Sequence, residues 1–355
     1  MSTIKVNKIE NTGTADGGVE IDSSGHVQVD GLQMPTVGPL SNRSLVINGD
    51  MRIAQRGTSE SGLTNSPKFV VDRFAYRRAG SWGTNSFTMT QQSSGAPAGF
   101  KHFLRLAQSG TAAAPPTDTW CGFGHYIEGQ NAVQVGLGTS TAQQLTLSFY
   151  AKASQAGTYC VQVGNAVDQT FIAEYSVTTS WQHFTISIPA RTAGTWNTDN
   201  TTGIYIHWII SADSDGTPSG STGWSATNDR YTTNQTEAFA SNAGATFDLC
   251  GVQLEVGDKA TPFEHRSYGD ELARCQRYYN QRTGSYYINR GYSGEGYVNY
   301  QWPVTMLANP NLTFGSTAEI STNNLSGDLD GIKGYITSSW NGTPRITGIY
   351  ANAEL

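Results

Sequence analysis

The chain has 355 residues, of which 40 are Gly and only 14% are charged, and its formal net charge is −6. So few charges exclude polyelectrolyte-type disorder and long solvent-exposed helices. The acidic balance excludes a nucleic-acid partner, because phosphate binding needs a positive field.

The opening residues MSTIKVNKIE contain no apolar signal-like core, which points to synthesis without export. No apolar run reaches the ~20 residues of a membrane helix, so no membrane insertion is expected. Within residues 1–41, Val19-Glu20-Ile21 and Val27-Gln28-Val29 alternate around Asp22-Ser23-Ser24-Gly25, a hairpin pattern. A lone hairpin is marginal in water, so this segment must pair with the body, another subunit or a larger assembly. Met34-Pro35 through Gly38-Pro39 reads as a linker.

Residues 42–266 read as strand after strand. Leu145, Leu147, Phe149 and Ala151 alternate, as do Tyr159, Val161 and Val163, then Phe171, Ala173, Tyr175 and Val177. Phe184, Ile186 and Ile188 follow, and then Ile204, Ile206, Trp208 and Ile210, with Ile209 also apolar as in a strand covered on both faces. Strands at this spacing with Gly, Asn and Ser turns, and no alternating long helices, predict an all-β antiparallel sandwich. Residues 112–129 and 211–244 read as long loops, of the kind that often carry function. Phe247 and Leu249 are followed one place out of phase by Val252, Leu254 and Val256, which predicts a β-bulge at Cys250-Gly251.

Beyond Pro262 the period becomes helical. Asp270 is placed to cap a helix over 270–281 that shows Leu272, Cys275 or Gln276, and Tyr279 on one side. Residues 267–283 are thus a helical joint, either a spacer laid on the sandwich or the seam of a three-helix junction. Residues 284–355 form a small second β domain with few large aliphatics, expected to bury surface against another copy of itself.

Catalysis has little support. The six His show no HxH or HExxH spacing, and no GxSxG, P-loop or GxGxxG pattern occurs. Glu128, Asp168, Glu174 and Asp199 are isolated acids of the kind usually solvated on a sandwich, so no enzyme is expected. Cys121, Cys160, Cys250 and Cys275 have no metal-ligand spacing and read as buried thiols. Asp213-Ser214-Asp215-Gly216 and Asp328-Leu329-Asp330-Gly331 read as turns rather than calcium loops.

Aromatic side chains are the stronger lead, because sugar rings stack their C–H faces on Trp and Tyr. The glycan-binding candidates are Trp82, Trp120, Trp224 and Tyr231 in the sandwich loops. Tyr286, Tyr292, Tyr297 and Trp302 are those of the distal cluster, which also includes Tyr287 and Tyr300. Packing competes equally for the loop aromatics, while Trp181 and Trp208 follow strand patterns and read as core.

Several stretches together resemble bacteriophage tail-fibre and other virion appendage proteins. They are SLVINGDMRIAQRGTS with Asp72-Arg73-Phe74, LTLSFYAKASQAGTYCVQV, WQHFTISIP, GVQLEVGDKATPFEHRS, ELARCQRYY and QWPVTMLANPNLTF. The sandwich portion is similar to jelly-roll carbohydrate-binding modules, with Asn48-Gly49-Asp50 in the first strand and Phe247-Asp248 in the last. The resemblance implies a jelly roll over 42–266 and a homotrimer held to other virion tail or neck proteins by residues 1–41. It also implies a distal C-terminus facing a host surface glycan, and a location on the virion after synthesis in the host cytoplasm. No cofactor is required. The modules do imply a structural Ca²⁺ near Asp50 and Asp248, although Asp248-Leu249 stands where a pair of acids is usual. The competing readings are a purely structural decoration or connector protein, and a glycan depolymerase.

Overall fold

The computed structural model describes residues 8–10, 18–23, 25, 27–29, 32–34, 41–213, 220–227, 229–236, 238–288, 295–318, 320, 322–337 and 344–355. Near the N-terminus, β1 (Lys8–Glu10), β2 (Gly18–Ile21), β3 (Val27–Val29) and β4 (Leu32–Gln33) form an antiparallel meander. The hairpin register is the one the alternation predicts, with Val19 opposite Val29 and Ile21 opposite Val27. Ile9 lies opposite Val19, so one face carries an apolar row that is exposed to solvent. The expected linker at 35–39 lies outside the described residues.

The body begins with β5 (Ser59–Glu60), β6 (Lys68–Phe69), β7 (Phe74–Ala79), β8 (Phe87–Gln92), β9 (Phe103–Gln108) and β10 (Trp120–Glu128). After a short helix α1 (Gly129–Ala132) come β11 (Leu145–Ala153), β12 (Gly157–Gly164), β13 (Thr170–Val177) and β14 (Gln182–Ile188). Then follow β15 (Thr202–Ala212), β16 (Gly223–Ser225), the short α2 (Ala238–Ser241) and β17 (Thr246–Val256). They build an antiparallel jelly-roll sandwich. One sheet has the order β16-β13-β12-β15-β10-β7-β6 and the other β14-β11-β17-β9-β8-β5. Alternation drives the two inner faces together. Phe149 of one sheet meets Trp208 of the other edge-on at 5.8 Å, and Phe123 approaches Phe247 at 6.5 Å. Trp208 is fully buried, whereas Trp181 lies outside the strands, half-buried against Phe103, with its Nε1 donating to the Gly95 carbonyl.

The bulge in β17 forms as the phase slip predicts. Ser148 pairs with Gln253 and Tyr150 with Cys250, so Phe149 alone faces Gly251 and Val252. Gly251 takes φ +59°, and a Cβ there would sit 2.7 Å from the Phe100 ring. Glycine therefore lets Val252, Leu254 and Val256 return to the core.

Residues 112–129 are not one loop. Their second half is β10, paired on both sides by β15 and β7 in the middle of the seven-stranded sheet. The alternation was hidden by Gly122 and Gly124, whose outward positions carry no side chain. The expected loop 211–244 likewise gives up its first residues to β15 and contains β16 and α2.

The joint helix α3 (Tyr268–Gln276) starts earlier and ends sooner than its periodicity suggests. Ser267, in extended backbone, caps it by accepting from the Asp270 amide at 3.2 Å, which puts Asp270 inside the first turn. Tyr279 belongs not to the helix but to β18 (Tyr279–Tyr287), where it pairs with Asn352. After β18 come β19 (Glu295–Gln301), β20 (Asn311–Ala318), β21 (Thr322–Gly327), β22 (Gly331–Thr337) and β23 (Arg345–Asn352). They form two three-stranded sheets, β18-β23-β20 and β19-β22-β21. Ile288, Trp302, Ile332, Ile336, Ile346 and Ile349 make a core that Ile47, Ile53, Cys275 and Tyr278 complete. The aliphatics this region lacks are thus supplied by the first segment of the body and by the joint.

Candidate functional site

Strand alternation that sends Phe123, Val161, Val163, Ile206 and Trp208 inward sends their neighbours to the outer face of the seven-stranded sheet. There the register sets Tyr126 opposite Tyr205, Gly124 opposite His207, and His207 opposite Gln162. One end of this face is covered. Tyr231 packs with Trp120, Cys160, Ile172 and Ile209, and the Gln235 side chain accepts from the Cys160 amide at 2.7 Å. The other end stays open as a cleft of about 210 Å³. Arg77, Trp120, Tyr126, Gln162, Tyr205, His207 and Arg230 line it, with Asp168, Gln169, Thr170 and Thr227 at its rim.

His207 is the hub of the floor. Its ring stacks on Tyr205 at 4.5 Å and on Trp120 at 5.4 Å, and meets Tyr126 edge-on at 5.7 Å. Gln162 donates through its amide nitrogen to the Asp229 carbonyl, which turns its oxygen toward His207 Nδ1 at 3.1 Å. Nδ1 therefore carries the proton, and Nε2 accepts from the Tyr126 hydroxyl at 3.1 Å. Burial, reinforced by the Arg77 and Arg230 cations, pushes the imidazole down to about 3, so it stays neutral.

The two arginines lie on the aromatic wall. The Arg77 guanidinium is 5.5 Å from the centre of the Tyr126 ring, and that of Arg230 is 5.3 Å from Trp120. Gly124 makes this possible, since a Cβ there would come within 3.0 Å of both the Arg77 stem and the His207 ring. The rim is equally ordered. Asn165 Oδ1 accepts from the amides of Val167, Asp168 and Gln169, Gln169 is held by Arg191 at 2.7 Å, and Thr170 donates to the Thr227 carbonyl. The result is a pre-formed concavity with aromatic faces, fixed donors and one rim carboxylate, Asp168, the arrangement of a small-molecule or sugar site.

Of the eight aromatic candidates, the structure brings Trp120 into this cleft and puts Tyr231 beneath its covered end. Trp82 is a core residue instead, edge-on to Phe87 with Nε1 donating to the Ala79 carbonyl. Trp302 is also core, its Nε1 donating to the Asp328 carbonyl. Trp224 is half-buried on the inner side, against Phe171 and Trp196, with Nε1 donating to the Pro189 carbonyl. A loop position did not expose these rings because each indole found both an apolar neighbour and a carbonyl. Tyr286 is half-buried against Tyr300 and Arg282, and Tyr297 is 74% exposed beside Tyr335. Tyr292 lies outside the described residues. The residues that sequence reasoning missed are Arg77, Tyr126, Gln162, Tyr205, His207 and Arg230.

Asp50 and Asp248 do not fit a calcium ion. Asp248 is buried and already matched bidentately by Arg105, at 2.7 and 2.8 Å, with Lys152 at 3.5 Å. Asp50 is held by Arg52 at 2.6 Å. Carboxylates neutralised by guanidinium groups are poor cation ligands, and among the described residues no group of three or more His, Cys, Asp or Glu could hold a metal. Asp328 behaves as a turn residue, accepting from the amides of Asp330 and Gly331, while Asp215 and Gly216 lie outside the described residues. All four cysteines are free and buried. Among the described residues no helix is long and apolar enough to cross a membrane.

No protein-family model matches the chain, and no curated protein does. Among solved structures, the chain is similar to the family 11 carbohydrate-binding module of cellulosomal cellulase Lic26A-Cel5E of Clostridium thermocellum. The identity there is 12%, over 56% of this chain and 99% of that one, with a TM-score of 0.29. A putative sugar binding protein from Bacteroides thetaiotaomicron is 12% identical over 61% of this chain and 100% of its own, at a TM-score of 0.35. The enzymatically active domain of bacteriophage CBA120 tailspike protein 4 is 11% identical over 52% of this chain and 19% of its own, at 0.29.

Proposed function

We propose that this chain is a glycan-binding virion appendage protein, a trimeric phage tail fibre that adsorbs to host surface sugar through the cleft of its jelly roll. The observation that carries the binding reading is the cleft itself, where Trp120, Tyr126 and Tyr205 surround a neutral imidazole beside fixed donors. Aromatic faces receive the C–H faces of a sugar ring, and amide, hydroxyl and guanidinium groups receive its hydroxyls. The protein holds the glycan without cleaving it, because hydrolysis takes two carboxylates across the bond and Asp168 is the one carboxylate among the described lining residues. Glu128, Glu174 and Asp199 are spent elsewhere, on Arg277, on Thr232 and Asn234, and on Thr201 respectively.

Replacing Tyr126 by Ala is expected to weaken binding on a bacterial glycan array at least tenfold, or about 1.4 kcal/mol, while Tyr297→Ala leaves it unchanged. The reverse pattern would move the site to the C-terminal sheets. For the assembly, the support is the exposed apolar row Ile9, Val19, Ile21, Val27 and Val29 on the N-terminal meander, which three copies would cover. Light scattering should give three chain masses for the full protein and one for a chain lacking residues 1–41. A monomer in both cases overturns the trimer. Three clefts on one fibre turn weak sites into firm attachment.

A further inference from the structure

We infer that the ligand of the cleft is an acidic glycan, a sugar bearing a carboxylate or phosphate that Arg77 and Arg230 clasp from opposite aromatic walls. The inference rests on the glycan-binding reading and names its substrate class.

The charge pattern of the chain carries it. Net charge is −6, and many of the buried and half-buried arginines have anionic partners, while Arg78, Arg191 and Arg274 donate to the side-chain amide oxygens of Asn65, Gln169 and Asn42. Arg52, Arg56, Arg73, Arg105, Arg266 and Arg277 all stand within 4 Å of a carboxylate. Arg77 and Arg230 have none among the described residues, although both are half-buried and both border the same cleft. A half-buried guanidinium without a counter-ion bears a desolvation cost that a bound anion relieves.

Geometry places the pair on one target. Arg77 lies over Tyr126 and Arg230 over Trp120, and both rings touch His207 between them. The cations therefore converge on the floor of a cleft only large enough for one or two sugar units. The floor cannot oppose an anion, because His207 is neutral and Tyr126 and Tyr205 remain protonated phenols. The carboxylates of Asp168 and Asp229 already accept hydrogen bonds from their own neighbours. Asp168 at the rim accepts from Asn165 Nδ2 at 2.9 Å, and the Asp229 carboxylate accepts from the Ser225 and Thr227 hydroxyls. Arginine forks match carboxylate and phosphate oxygens bidentately, which a neutral sugar cannot exploit.

The test uses the full chain on an array of matched glycans. Each uronate or sialyl sugar is paired with its carboxyl methyl ester, and each phosphorylated sugar with its dephosphorylated form. The anionic member of at least one pair should bind ten times more tightly or better than its neutral partner, and raising the salt should weaken it. Arg77→Gln and Arg230→Gln should each remove most of that preference, and Arg77→Lys should restore part of it, with melting curves confirming that the variants fold. The carboxylate and phosphate arms tell the two sources apart. Equal binding of charged and neutral members, unaffected by the Gln variants, overturns the acidic ligand and leaves glycan binding standing. Binding to no member of any pair overturns both.

Discussion

Replacing Arg73 by Ala should cost about 3–5 kcal/mol, the range for removing one partner of a buried ion pair. Arg73 is among the largest fully buried side chains, and it ties three parts of the chain together. It ion-pairs with Glu354 near the C-terminus, donates to the Tyr126 carbonyl in β10, and lies 3.4 Å over the ring of Tyr278 at the end of the joint. Around it Arg56 bridges Asp72 and Glu354, while Glu128 accepts from Arg277 and from the Tyr278 hydroxyl. Ala leaves a large void, an under-compensated Glu354 and a bare carbonyl, three costs that add in one direction. The expected result in urea unfolding is a lower midpoint. Limited proteolysis should show early cutting between the sandwich and residues 279–355, because two of the three lost contacts, to Glu354 and Tyr278, lie at that seam. A double-mutant cycle with Glu354→Ala should show coupling above about 1 kcal/mol. Purely additive losses would mean that Arg73 is a packing residue and not the tie.

This network also explains why the joint was only partly legible. The stretch around Pro262 announces a change of period, and α3 and β18 do follow it. Its boundaries depended on Ser267 reaching the Asp270 amide and on Tyr279 finding Asn352, a partner 73 positions away that no local pattern reveals. Similarly, the shortage of aliphatics in residues 284–355 was real. Its remedy, Ile47 and Ile53, came from the opposite end of the body.

The inner faces of the sandwich were legible because alternation is a local property, and the slip at Gly251 even located the bulge. The cleft was not, because its lining comes from outward positions of separate strands, from Arg77 to Arg230. Each outward residue looks ordinary in its own strand. One signal was present: Tyr205, His207 and Ile209 put large or aromatic side chains on the face of β15 that water would otherwise meet. Gly122 and Gly124 removed the corresponding signal from β10, so the strand holding Trp120 and Tyr126 passed as loop. The loop tryptophans misled for the opposite reason, since Trp82 and Trp302 are buried by contacts that sequence position does not show.

Acid should destabilise the protein well above the range where carboxylates usually protonate. His207 is held neutral with a value near 3 against an ordinary 6.5, and burial together with the Arg73 cation depresses His125 well below 6.5 as well. Between those values the unfolded chain binds protons that the folded chain refuses, so stability present above pH 6.5 is lost as the pH falls toward 3. At pH 4.5, two units below the ordinary value, His207 costs about 2.7 kcal/mol, and His125 adds a loss of the same sign. Burial raises the Asp72 carboxyl to about 6 from 3.8, and its sign is opposite. There the folded chain binds the extra proton, so acidification from pH 6 to 4.5 returns about 2 kcal/mol. The two histidine losses outweigh the one gain, so stability falls between pH 7 and 4.5, read as a drop in the urea midpoint. In His207→Gln, which keeps polar contacts to Tyr126 and Gln162 within reach but cannot titrate, the fall should shrink by about 2.7 kcal/mol. An equal fall in both proteins would show that the neutral imidazole of the cleft floor is not what makes the fold acid-sensitive.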